Sequence, residues 1–186
     1  MKTLEVILRR ELAGLQERSG KKAVDVLEVG TIRESAEEAR AADGWSTLCF
    51  AEHAAVYGGH IVGVDLDVTA ATQVLTRHGV ADRVELLTGS SVEVLPRLIA
   101  EGRSFDVVFL DSDNDADLVM REYSLARELV RRGGLIMADD MDQGDPWVFK
   151  GLKLIPYLKQ KGIAYRIDRR EAPWGGRDVL IQEVGV

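Results

Sequence analysis

The chain has 186 residues, 46% of them hydrophobic and 30% charged, which fits one globular domain spanning residues 1–186. A formal net charge of −7 argues against broad binding to nucleic acid or anionic membranes, and the lone cysteine, Cys49, rules out an intrachain disulfide or a Cys-cluster metal site. No apolar run reaches the ~20 residues of a membrane helix, and the charged N-terminus is not a signal peptide, so a cytoplasmic location is expected.

Apolar, β-branched runs of strand length punctuate the chain. In order they are AVDVLEV (23–29), HIVGVDL (60–66), VELLTG (84–89), FDVVFLD (105–111) and GLIMADD (134–140). Their near-continuous apolar character predicts strands covered on both faces, as in a parallel sheet. Helical stretches are expected between and after them, at about 45–57, 69–79, 91–101, 115–131 and 147–161, with Ser46, Thr69 and Asp115 placed to cap three of them. This alternation reads as an α/β, Rossmann-like doubly wound sheet. The end of the chain departs from it. AYRID (164–168) and DVLIQEV (178–184) are strand-like but only nine residues apart, too close for a parallel crossover, so they should pair antiparallel and complete seven strands.

In such sheets ligands bind beyond the carboxyl ends of the strands. Strand one ends in Glu28-Val29-Gly30 and strand two in Asp65-Leu66-Asp67. An acid at the end of strand two suits the hydroxyls of a ribose. The first turn then separates the cofactors. A dinucleotide fingerprint needs G-x-G-x-x-G, whereas Ile32 and Ser35 follow Gly30 where glycines would stand, which counts against an NAD(P)-dependent oxidoreductase. Taken singly, Gly30 need be no more than a tight turn and Asp65 no more than a solvated strand end.

The segments LEVGTIR, GWSTLCFAEH, IVGVDLD, VELLTGSSVEVLPRL, FDVVFLDSD and GGLIMADDM together resemble the metal-dependent S-adenosylmethionine (SAM) O-methyltransferases of the catechol and macrocin types, over roughly residues 23–141. The resemblance implies the class I SAM methyltransferase fold, with its antiparallel terminal strand. It also implies that Glu28 and Gly30 shape the turn beside the methionine moiety, that Ser46 holds its amino-carboxylate end, that Asp65 binds the ribose, and that Leu66 and Ser91 contact the adenine. The segment ESAEEARAAD (34–43) interrupts the usual first turn, and is expected to be a solvated helix or a lid that orders with ligand.

A second constellation is acidic. Strand four ends in Asp111, and strand five in Asp139 and Asp140. Three carboxylates at neighbouring strand ends repel one another unless a cation intervenes, and Mg²⁺ or another hard divalent cation suits such oxygens. The simpler alternative is that acids merely end the strands. Asp111 also borders the expected cofactor position. The pattern D-S-D (111–113) with Asp139-Asp140 resembles the macrocin type, which implies Asp113 as the general base. Asn114 stands where the catechol type has a catalytic lysine. Trp147 and Phe149 are candidate substrate walls, and Arg169, Arg170 and Arg177 with Trp174 form a candidate anion site.

These readings predict methylation of a hydroxyl on a small molecule: a sugar, a glycosylated natural product or a catechol-like diol. A homodimer is left open. The competing readings are a NAD(P)-dependent oxidoreductase, a metal-independent SAM methyltransferase, a nucleic-acid base methyltransferase, and a SAM-fold module without catalysis.

Overall fold

The computed structural model describes residues 3–142, 144–171 and 175–185, with the side chains of Ala42 and Asp43 left aside. Its strands are β1 (Val26–Val29), β2 (Ile61–Asp65), β3 (Val84–Thr88), β4 (Phe105–Leu110), β5 (Val130–Ala138), β6 (Arg166–Arg170) and β7 (Arg177–Glu183). They form one sheet in the order β3-β2-β1-β4-β5-β7-β6. The first five strands pair in parallel, and β7 runs antiparallel to both β5 and β6. The expected doubly wound sheet with a reversed terminal strand is therefore present, and it is the class I SAM methyltransferase architecture. Among the described residues, no helix is long and apolar enough to cross a membrane.

The helices are α1 (Leu4–Ser19), α2 (Arg40–Asp43), α3 (Ser46–Tyr57), α4 (Thr69–Arg77), α5 (Ser91–Ala100), α6 (Ala116–Leu129) and α7 (Gly151–Lys161). Alternate residues of the central strands face opposite sides, so both faces are covered. Val107 and Phe109 of β4 pack with Ile7, Leu8 and Leu12 of α1 and Phe50 of α3. Val108 and Leu110 pack with Leu95 of α5, Tyr123 of α6 and Leu154 of α7.

Several elements differ from their sequence-based bounds. The first helix lay outside the expected set. It buries Leu4, Ile7, Leu8, Leu12 and Leu15, spaced by three and four residues along one face. Strand β5 begins at Val130, directly after α6, rather than at 134, and it ends at Ala138, before the acidic pair. Helix α7 starts at Gly151 rather than 147, because a turn from Asp145 to Val148 precedes it. Of the three expected caps only Asp115 acts as one, accepting from the N–H groups of Asp117 and Leu118. Ser46 and Thr69 instead open α3 and α4 as first helical residues.

Candidate active site

Parallel pairing aligns the strand ends that matter. Gly30 N–H donates to Val64 O, Asp111 N–H to Val29 O, and Asp139 N–H to Leu110 O. One row of strand exits thus carries Gly30, Asp65, Asp111 and Asp139. A cleft of about 290 Å³ opens above the row, lined by Gly30, Asp65, Leu66, Ser91, Asp111 and Asp113 among others. Gly30 has φ +87°, and a Cβ there would lie 2.2 Å from Asp111 O, so only glycine lets the first loop approach the fourth strand this closely.

Within the cleft, Asp65 is already a hub. Its Oδ2 accepts from Thr31 N at 2.6 Å and Thr31 Oγ1 at 3.1 Å, and its Oδ1 from Leu66 N at 2.7 Å. Leu66 is 73% exposed, an apolar side chain held out at the rim. Ser91 Oγ donates to Glu122 Oε1 at 2.6 Å, and Ser112 Oγ donates to Glu122 Oε2 at 2.7 Å. Glu122 is fully buried, and burial raises its pKa against the pull of the two hydroxyls. With their protons committed to Glu122, Ser91 and Ser112 present lone pairs to the cleft. Sequence reasoning missed Glu122, although an acid among the apolar positions of α6 is a readable sign of a buried partner.

Glu28 and Ser46 lie behind the cleft wall, not on it. Glu28 is fully buried, and among the described residues neither carboxyl oxygen has a well-formed hydrogen bond, the Ser46 and Thr47 hydroxyls lying near but poorly aligned. Burial pushes its pKa up to about 8; the hydroxyls of Ser46 and Thr47 oppose that rise, and the charges of Asp111 and Asp65 add to it. Segment 34–43 does not line the cleft either. It is helical at Glu37–Ala39 and Arg40–Asp43 and is tied down laterally, with Arg40 3.3 Å from Glu5 and Arg77 3.1 Å from Glu37.

The expected carboxylates converge: oxygens of Asp111, Asp139 and Asp140 lie within 4.8 Å of one another. Asp140 adopts φ +56°, a left-handed conformation that costs free energy for a non-glycine residue and is least unfavourable for Asp and Asn. Not foreseen from the strand ends is that these acids already face side-chain cations. Lys150 Nζ donates to Asp111 Oδ1 at 2.8 Å. Arg170 Nε spans both oxygens of Asp139, at 2.9 and 2.8 Å, and its Nη2 lies 2.7 Å from Asp139 Oδ2 and 3.3 Å from Asp140 Oδ1. Arg177 Nε is 3.6 Å from Asp140 Oδ1.

Lys150, Arg170 and Asp139 are all buried. Burial raises the pKa of Asp111, opposed by Lys150 and reinforced by Asp139 and Asp140. Burial works against the Lys150 charge, but Asp111 and Asp140 outweigh it and its pKa is raised. Lys150 reaches the centre because Gly151 packs on the strand-five exit; a Cβ on Gly151 would stand 2.5 Å from Met141 O.

The remaining candidates separate by position. Asp113 is exposed on the cleft lip, outside the carboxylate cluster, and accepts from Asn114 N at 2.7 Å. Asn114 clamps the loop before α7, donating to Trp147 O and accepting from Phe149 N, both at 2.7 Å. Trp147, 79% exposed, borders a neighbouring hollow of about 490 Å³ with Asp142, Asp145, Arg169 and Arg177. The arginines expected to greet an anion are instead paired with acids: Arg169 with Asp142 and Asp178, Arg170 with Asp139 and Asp140, and Arg177 with Asp145. Trp174 lies outside the described residues.

A family profile described as a methyltransferase domain matches residues 41–141. A catechol O-methyltransferase of Mycobacterium tuberculosis is 33% identical over 122 residues, covering 64% of this chain and 49% of the relative. A catechol O-methyltransferase of Niastella koreensis is 29% identical over 123 residues, covering 64% and 50%. The chain thus spans about half the length of these curated relatives. Among solved structures, cofactor-bound Rv0187 from MTB superposes with a TM-score of 0.70 at 25% identity, over 95% of this chain and 80% of that one.

Proposed function

The chain belongs to the methyltransferase-domain family, and from that premise we propose that it is a SAM-dependent O-methyltransferase acting on a hydroxyl of a small molecule: a sugar, a glycosylated natural product or a catechol-like diol. The observation that carries this reading is one continuous site. A cleft with a ribose-type acid and an apolar rim, over β1 and β2, runs into a carboxylate centre at the ends of β4 and β5. The catechol O-methyltransferases among the relatives support a hydroxyl acceptor.

Bound SAM supplies an electrophilic methyl group on a sulfonium. The chain's part is to hold, orient and deprotonate. Asp65 accepts the ribose hydroxyls on oxygens that the Thr31 and Leu66 amides already aim. Leu66 offers an apolar surface to the adenine. Ser91, its proton drawn to Glu122, offers an acceptor to a donor on the adenine edge. Gly30 keeps the loop low beneath the methionine end, with Glu28 and Ser46 supporting it from behind. Asp113 on the lip takes the proton of the acceptor hydroxyl. Trp147 forms an outer wall for the acceptor.

Mg²⁺ at Asp111, Asp139 and Asp140 is the natural first reading of the acidic cluster. The centre does not fit it as arranged. Mg²⁺ needs near-octahedral oxygens at about 2.0–2.1 Å, yet both Asp139 oxygens lie in the Arg170 fork and Asp111 Oδ1 carries Lys150. This favours the metal-independent form of the reaction. A dinucleotide is disfavoured by the same first turn that receives Gly30, where Ile32 is buried in the core. We further propose a cytoplasmic enzyme without nucleic-acid or membrane partners, in keeping with the charge of −7; a homodimer is compatible with this reading.

The test is ligand binding at Asp65. Wild type should bind S-adenosylhomocysteine in calorimetry and methylate a catechol or sugar hydroxyl in a radiolabel assay. Asp65→Ala should bind it more than about tenfold more weakly, since a lost charge-assisted hydrogen bond costs roughly 1.5–3 kcal/mol and tenfold corresponds to about 1.4. Tight NADH binding with no S-adenosylhomocysteine binding would refute the reading.

A further inference from the structure

We propose that Lys150 and Arg170 take the place of a divalent cation at the Asp111–Asp139–Asp140 centre, so that this protein neutralises these strand-end carboxylates with side-chain cations and binds no metal there. The proposal rests on the methyl-transfer reading for its purpose, and on contacts alone for its substance.

Every carboxylate of the centre has a side-chain cation within 3.6 Å. Asp139, the deepest, has no solvent exposure, and both its oxygens are held by Arg170. A metal ion would have to share Asp139 with Arg170 and Asp111 with Lys150, cation against cation, or expel them. Among the described residues, neither cation has a hydrogen-bond partner outside this centre. Expulsion would therefore strand two buried charges, which is strongly unfavourable. Neither side chain is casually placed. Arg170 is the last residue of β6 and is paired in register with Arg177 of β7. Lys150 is fixed by the close approach of Gly151 to Met141. Arg170 thus stands at the end of a strand and Lys150 at the start of a helix, each held by the backbone contacts of its own element.

What a metal ion would bring to this position is positive charge beside a hydroxyl that must lose its proton. The Lys150 ammonium brings the same sign of charge to Asp111, on the cleft wall, at a fixed distance. Lys150 and Arg170 are positioning residues here: they hold Asp111 and Asp139 in place and set the field at the cleft.

The probe is Mn²⁺ alone, followed by electron paramagnetic resonance on the full chain. Wild type is expected to leave Mn²⁺ free at about 10⁻⁴ M, the range of a weak oxygen site. Lys150→Met and, separately, Arg170→Met vacate one cation while keeping all three carboxylates. At least one should remain folded by circular dichroism and bind Mn²⁺ about tenfold or more tightly than wild type, and adding Asp140→Asn should abolish the gain. Stoichiometric Mn²⁺ binding by wild type that is lost in Asp140→Asn would overturn the proposal. So would a folded Lys150→Met or Arg170→Met protein with unchanged Mn²⁺ affinity, since the vacated charge would then not have been standing in for a metal. None of these measurements uses SAM, so a failure of the methyl-transfer reading would appear separately, as absent S-adenosylhomocysteine binding.

Discussion

Glu28 has both carboxyl oxygens sealed behind the first loop, with only the Ser46 and Thr47 hydroxyls near them and neither in a well-formed hydrogen bond, and its pKa is pushed up to about 8 from an ordinary 4.5, by burial first. A raised acid holds its proton in the folded chain over a range where the unfolded chain has lost it. Its contribution to stability is therefore complete below about pH 4.5 and is lost as the pH rises through about 8. Glu28→Gln keeps the shape and removes the titration. In urea denaturation it should match wild type near pH 4 and exceed it near pH 9 by about 1–3 kcal/mol, the scale of an unsatisfied buried polar group. Parallel pH profiles for the two proteins would show that Glu28 does not ionise in that window. The acids at the strand ends were legible in the sequence because parallel pairing puts consecutive strand exits side by side, and Asp111 and Asp139 each follow a run of apolar strand residues. Lys150 was not legible. It belongs to no periodic run and meets Asp111 only because a glycine, 40 positions further on, docks against strand five.

At the scale of elements, segment 34–43 is a pair of short helical turns secured to α1 and α4, not a flap over the cleft. Its anchors are Arg40 to Glu5 and Arg77 to the carbonyl of Ser35, with Trp45 Nε1 donating to Glu34 O at 3.1 Å. Because those partners lie on the protein body and not on a ligand, hydrogen exchange at residues 37–41 should stay within about twofold on adding S-adenosylhomocysteine. Strong protection appearing only with ligand would restore the lid. The length and polarity of the segment identified a helical insertion, but the direction in which it lies depends on Glu5 and Arg77, each more than 30 positions from its partner. Helix α1 is the converse. Leu4, Ile7, Leu8, Leu12 and Leu15 write a helical stripe openly. The side of the sheet it covers is set by long-range partners, Val107 and Phe109 of β4 and Val179 and Ile181 of the reversed strand β7.

Over the whole molecule, the reversed β6–β7 pair does more than close the sheet. Strand β6 is the outermost strand, paired with another strand on one side only, tied to α1 by side chains alone and exposed along much of its length, and its last residue is the arginine that neutralises Asp139. An edge strand of this kind is among the first parts of a sheet to open. When it opens, Asp139 is left buried without its counter-charge, while the parallel core and the nucleoside half of the cleft, built on β1 to β4, remain in place. Turnover should therefore decline several degrees below the midpoint of global melting, measured by activity after brief warming against far-ultraviolet circular dichroism. Coincident curves would show the hairpin to be as firm as the core. The working lifetime of the protein is thus set at its perimeter: a melting temperature taken from the core will overstate the range in which the cleft and its carboxylate centre stay whole, and reinforcing one peripheral strand will extend that range without any change in the cleft itself.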